Sequence, residues 1–416
     1  MALIQDDPHA ASAAGPLDTT APTADGPAEP EPRPDQIARA RALLAAHPVA
    51  DGYNGLARAL RSVPWSDVEL GESSLDTDIP RLRAGGVGAQ FWSLRSDPYD
   101  EAPRPAHTAQ SERTQHSEHS EHSEHSDHHL GDGGRTEHTH LAEHSGPAHR
   151  SCPVSTTLEQ IDRVRSLTDA YPEGLRLALN SGEIADARSC GRVASLLGPA
   201  RATAIGDSLG ALRTLYSLGV RCLTLTGVDW APPTGLTRFG EEVVREMNRL
   251  GMLADLSGST APTAHAALSV SRAPVIFTHT GAAALNGHPA NVPDDVLSAL
   301  HENGGLCMVP LAADRTGPEL HDVADHLDHV RSVAGPACVG LSGMYDTGAP
   351  HPAGLPDTAA YPLLVAELLE RGWPESDLAR LTWGNLQRVL RDAELTSKTA
   401  RQRRRASTAR IEDLDG

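Results

Sequence analysis

The chain has 416 residues, which could hold two average domains or one α/β barrel of ~250 residues with extensions. A hydrophobic content of 39% can bury a sizeable core, and with aromatics at 3% that core has to be aliphatic. The net charge of −19 argues against nucleic acid or an anionic membrane surface as general partners, and no apolar run reaches the ~20 residues of a membrane span.

Residues 1–34 are rich in Ala, Pro, Asp, Glu and Thr, a composition that predicts disorder. The opening MALIQDDPHAASAAGP has no basic or apolar leader segment, so a classical secretory signal is not expected. Helical spacing begins after Gln36, and Val49 to Tyr53 is a predicted first strand. A short helix over Thr77–Gly86 and a second strand over Val87–Leu94 follow. Residues 98–151 break the pattern with HSEHSEHSEHSDHH, in which His116, His119, His122, His125 and His128 recur every third residue. This is a low-complexity insertion, and its imidazoles offer adventitious sites for Ni, Cu or Zn ions. Order returns at Thr156 with an amphipathic helix, and Val193 to Leu197 is a third strand.

From there helices and short apolar runs alternate. Gly206–Leu218 reads as a helix and Arg221–Thr226 as strand four. In LTRFGEEVVREMNRLGMLADLS, Phe239, Val243, Met247 and Leu250 share a helix face, with Thr237 as N-cap and Gly251 as stop. Met252–Leu256 is strand five, Ala261–Val270 a helix, and Ala273–Thr278 strand six, with His279 at its end. A helix over Pro293–Glu302 leads to strand seven at Gly305–Leu311, and one over Leu320–Ala334 to strand eight at Cys338–Ser342. Helices over Tyr361–Arg371 and Glu375–Leu381, and one starting at Gly384, close the fold. The charged segment 396–416 reads as an unstructured tail. Eight strands alternating with helices predict a (β/α)8 TIM barrel over 35–395, interrupted by the insertion, with chemistry at the strand ends. The five cysteines are scattered without CxxC spacing, which predicts reduced thiols in a cytoplasmic protein.

The stretches TDIPRLRAGGVGAQFWS, TLEQIDRVR, SLGALRTLYSLGVR, APVIFTHT, HPANVPDDVLSAL and GNLQRVL resemble the renal, or membrane, dipeptidase family of zinc metallopeptidases. The resemblance runs from about Ala42 to Leu390 and implies a metal-dependent barrel hydrolase acting on dipeptides. It also implies two zinc ions bridged by a carboxylate, a water activated between them, and an acid–base Asp. Carried over position by position, the family's ligand set is mostly replaced. Where the family's first strand ends in Asp-Gly-His-Asn-Asp, this chain has Asp51-Gly52-Tyr53-Asn54-Gly55, so both ligands there are replaced. The bridging Glu corresponds to Ala200, and the His of the family's Asp-Leu-Ser-His to Gly258. The substrate-contacting His corresponds to Gly227, the carboxylate-holding Arg to Ala290, and the acid–base Asp to Met344. The one ligand position that keeps its residue is His279. Asp229 and Asp346 are nearby carboxylates that could substitute in part.

One imidazole cannot hold two zinc ions, each of which takes ~3–4 protein ligands. The expectation is therefore a catalytically inactive homologue with no metal in the barrel, whose pocket Tyr53 and Met344 fill, acting as a binding or regulatory partner. The resemblance adds a homodimer, or a heterodimer with an active dipeptidase paralogue, and a small peptide as ligand. Two alternatives stand beside it: an active metal-dependent dipeptidase with zinc, and a metal-binding protein acting through its His tract.

Overall fold

The computed structural model describes residues 33–61, 63–71, 74–95 and 152–416. The expected disordered N-terminal segment 1–34 lies almost wholly outside these residues, and the insertion with His116, His119, His122, His125 and His128 lies outside them too.

The apolar runs become short strands because each is bounded by Gly, Pro or a charged residue within a few positions. They are β1 (Val49–Asn54), β2 (Val87–Trp92), β3 (Leu175–Leu177), β4 (Val193–Leu197) and β5 (Ala200–Arg201), then β6 (Cys222–Thr224), β7 (Leu253–Asp255), β8 (Ile276–Phe277), β9 (Leu306–Pro310) and β10 (Val339–Ser342). Together they form one ten-stranded sheet in the order β3-β4-β2-β1-β10-β9-β8-β7-β6-β5, and every pairing is parallel. β4 and β5 are two pieces of one strand, bent at the cis Gly198–Pro199 bond. Beside the bend, the Arg221 N–H donates to the Leu197 carbonyl at 3.0 Å. The sheet thus curls round and meets itself, and the eight expected strands ring a barrel of the TIM type. β3 was not expected. It is three residues long, carries Arg176 in its middle, and pairs along β4 outside the ring, so it has neither the length nor the alternation of a readable strand.

The helices follow their local signals. Thr237 caps the Arg238–Leu250 helix through the Gly240 N–H, and Gly251 ends it at φ 86°. The Ala261–Val270 and Leu320–Ala334 helices have the bounds the spacing predicts. The core between barrel and helices is mostly Leu, Val and Ala, all strand residues of β1, β2, β4, β9 and β10 being buried. Cys222, Cys307 and Cys338 are free and buried in it, while Cys152 and Cys190 are free and exposed. Among the described residues no helix is long and apolar enough to cross a membrane.

The unstructured C-terminal tail is corrected. One helix runs from Asn385 through Arg403, and a short one covers Ile411–Asp415. Arg401, although exposed, donates to the Arg249 and Leu250 carbonyls at the end of the Arg238–Leu250 helix. At the other end of that helix, Asp415 accepts from the Phe239 N–H. Carbonyls at a helix C-terminus attract cations and N–H groups at an N-terminus attract carboxylates, so the tail is held by both ends of one dipole.

Candidate functional site at the strand ends

The C-terminal ends of parallel barrel strands are where loops present reactive groups. His279 follows β8 and is buried. Its Nδ1 shares a hydrogen bond with Thr278 Oγ1 at 2.7 Å, its N–H donates to Ser257 Oγ at 3.2 Å, and its carbonyl accepts from Arg315 at 3.1 Å. Thr278 and Ser257 are in turn tied to Asp255, a fully buried carboxylate at the end of β7. Burial holds the His279 imidazole well below its ordinary pKa, and the charges of Arg315 and Arg95 push it the same way. The ring is therefore neutral at pH 7.

Against that ring lies Tyr53, with centroids 4.3 Å apart and planes tilted by 49°. Tyr53 packs with Ala312 and Met344 in a small buried apolar cluster. Met344, at φ 56°, donates its N–H to the Tyr53 carbonyl at 3.0 Å, so the ends of β1 and β10 are laced together. Two residues on, Gly55 is pressed against the same loop: a Cβ there would lie 2.3 Å from the Asp346 carbonyl oxygen. An Asp side chain at position 55 has no room while the backbone of residue 346 stays where it is.

The other expected positions are distinct. Ala200 is fully buried at the start of β5. Gly227 stands at φ 74°, with the Arg201 guanidinium 3.4 Å from where its Cβ would be. Gly258, at φ 75°, has nothing within 4 Å of that point. Ala290 is buried and donates its N–H to His288 Nδ1 at 3.1 Å. Asp229 is exposed, and Asp346 is buried and clasped to Asp76. Among the described residues no three His, Cys, Asp or Glu side chains come together in a way that could hold a metal ion. A tyrosine ring, a thioether and glycines supply none of the carboxylate and imidazole donors that a pair of zinc ions takes. The donor set does not fit a dinuclear centre.

The membrane dipeptidase family, peptidase family M19, matches residues 37–404. The chain belongs to that family. Its relatives include "Dipeptidase 3" of Macaca fascicularis, 36% identical over 390 residues, covering 88% of this chain and 69% of that protein. "Dipeptidase verJ" of Clonostachys rogersoniana is 33% identical over 385 residues, covering 87% and 88%. The barrel is similar to the probable dipeptidase PvdM of Pseudomonas aeruginosa, with a TM-score of 0.66 at 16% identity over 88% of this chain and all of that one. As a dipeptidase-family barrel, the chain has zinc as its implied metal.

Sequence reasoning placed His279, Tyr53 and Met344 at one end of the barrel, and the structure brings these three together. It missed Arg95 and Arg315, which are buried although guanidinium groups rarely are. Both stand just past a strand, Arg95 after β2 and Arg315 after β9, and that placement was the available signal. Arg315 comes from the short loop between Pro310 and Leu320, which also supplies Ala312 to the cluster on Tyr53.

Proposed function

We propose that this dipeptidase-family barrel does not run two-metal hydrolysis and serves as a binding or regulatory partner. The observation that carries the reading is the buried cluster of Tyr53, Ala312 and Met344 against His279, on the end of the barrel where a metal-activated water would have to form. Two-metal hydrolysis needs cations to lower the pKa of water and polarise a carbonyl. The side chains here offer instead an aromatic face, a neutral imidazole and, nearby, the fixed charges of Arg95 and Arg315. Such a set can orient a peptide backbone or carboxylate without activating a nucleophile. The partner class this reading takes is an active dipeptidase of the same family, as the second half of a heterodimer.

The competing reading, an active metal-dependent dipeptidase, draws on the names of the relatives. Hydrolysis of L-Ala-D-Ala by the full chain, with and without chelator, separates the two. The expected result is no chelator-sensitive turnover, and zinc content unchanged by His279→Ala. Metal-dependent turnover that His279→Ala abolishes would establish the enzyme. Metal held by the His tract would survive that substitution.

A further inference from the structure

At the opposite end of the barrel from His279, where the strands begin, lies a cavity of about 230 Å³. Its apolar wall is made by Leu44, Ile79, Leu82, Leu175 and Val193, all buried. Three arginines line it as well: Arg83, Arg188 and Arg192. No Asp or Glu is among its lining residues. Arg188 is fixed, donating to the Ala46 carbonyl and lying 5.3 Å from the centre of the Trp383 ring. Arg192 is half-buried and meets Glu173 at 3.7 Å, a carboxylate whose side chain is 90% exposed. A solvated pair at that distance contributes little, so the guanidinium can exchange it for another anion. Gly191, with nothing within 4 Å of its Cβ position, leaves the wall open beside Arg192.

We infer that this cavity binds a small amphipathic anion, a monocarboxylate with a short aliphatic chain. The chain would lie among Leu44, Leu82 and Leu175, and the carboxylate would meet Arg83 and Arg192. The volume is that of roughly eight water-sized groups at ~30 Å³ each, which suits about six carbons and a head group. Burial of the aliphatic chain favours binding, and a guanidinium donates two parallel hydrogen bonds to a carboxylate in a bidentate fork. The sign of the charge is the deciding feature. On a protein with a net charge of −19, a mouth lined by three cations and no acid selects anions. The strand starts of such barrels hold stability rather than chemistry. A ligand here therefore acts by tying the Pro34–Ala46 and Ile79–Ala84 helices to β2, β3 and β4, and it is independent of whatever His279 does.

The test is calorimetric titration of the full chain with hexanoate and with 1-hexanol, which has the same chain and no charge. Hexanoate is expected to bind at least tenfold more tightly than hexanol. The double substitution Arg83→Ala and Arg192→Ala should remove that preference and leave hexanol binding unchanged. Ala45→Trp, at an exposed helical position on the cavity wall, should abolish binding of both. Equal affinity for the two ligands, binding of neither, or hexanoate binding indifferent to Ala45→Trp would each overturn the assignment.

Discussion

Around His279 the ends of β1 and β10 are packed solid, whereas the end of β7 carries Gly258, which faces open space. On the packed side, Gly55 has φ −94°, a conformation any residue adopts, yet a Cβ would lie 2.3 Å from the Asp346 carbonyl oxygen. On the open side, Gly258 has nothing within 4 Å, yet its φ of 75° disfavours side chains. One glycine is required by crowding and the other by backbone conformation. The lesson is that a position lacking a donor side chain can be closed to that donor or merely strained by it. Only the first kind makes the change hard to reverse.

The largest expected effect tests the packed side. Gly55→Asp forces the new carboxylate into backbone, and overpacking of a rigid contact costs about 3 kcal/mol or more. A urea titration should show the unfolding free energy fall by that amount, without a new metal site in compensation. A Gly55→Asp protein as stable as the parent would mean that the loop at Tyr345 and Asp346 yields, and the contrast between the two sides would disappear.

Gly258→His tests the open side. Nothing lies within 4 Å of the new Cβ, so the expected cost is that of a non-glycine residue held at positive φ, about 2 kcal/mol. The same urea titration measures it. A loss equal to that of Gly55→Asp would show that the space beside Gly258 is not available. A loss near zero would show that the loop after β7 relaxes freely.

What was readable from the sequence follows the range of the forces. The Arg238–Leu250 helix was legible because its apolar face, its Thr237 cap and its Gly251 stop are all local. β3 was not, being three residues with a charge in the middle whose strand character comes from lying along β4. The tail was misread because its partners are far away in sequence. Arg401 meets carbonyls some 150 residues earlier (|i−j| of 152 and 151), and charged runs without local partners look solvated. In the site, His279 was legible from its place after an apolar run, and Tyr53 and Met344 from their positions in a family pattern. The crowding at Gly55 was not, since it arises from the carbonyl of Asp346 across the barrel end.

The smallest expected effect concerns the loop that does the crowding, and it depends on pH. Asp346 and Asp76 hold each other: the Asp76 N–H donates to Asp346 Oδ1, and the Asp346 N–H to Asp76 Oδ2, both at 2.9 Å. Burial pushes the Asp346 carboxyl up to about 6, the Asp76 charge adds to the rise, and hydrogen bonds from the Asp76 backbone and Thr77 only partly offset it. The folded state therefore holds a proton that the unfolded chain, with an Asp pKa near 3.9, releases. Stability from this group is fully present below the unfolded pKa and is lost as pH rises through about 6. Asp346→Asn keeps an oxygen acceptor for Asp76, tolerates φ 59°, and has no proton to lose. Between pH 5 and pH 7 the stability of the parent relative to Asp346→Asn should fall by about 1.4 kcal/mol, the value of one pH unit of differential protonation. Asp51 is also pushed up to about 6, but it is common to both proteins and cancels in the difference. Urea midpoints for the two proteins at both pH values give the number. A difference that stays flat or rises with pH would mean that Asp346 is already ionised in the folded protein at pH 5. The loop over Gly55 would then be held by a carboxylate rather than by a neutral acid, and the packed side of the barrel would loosen in acid instead of in base.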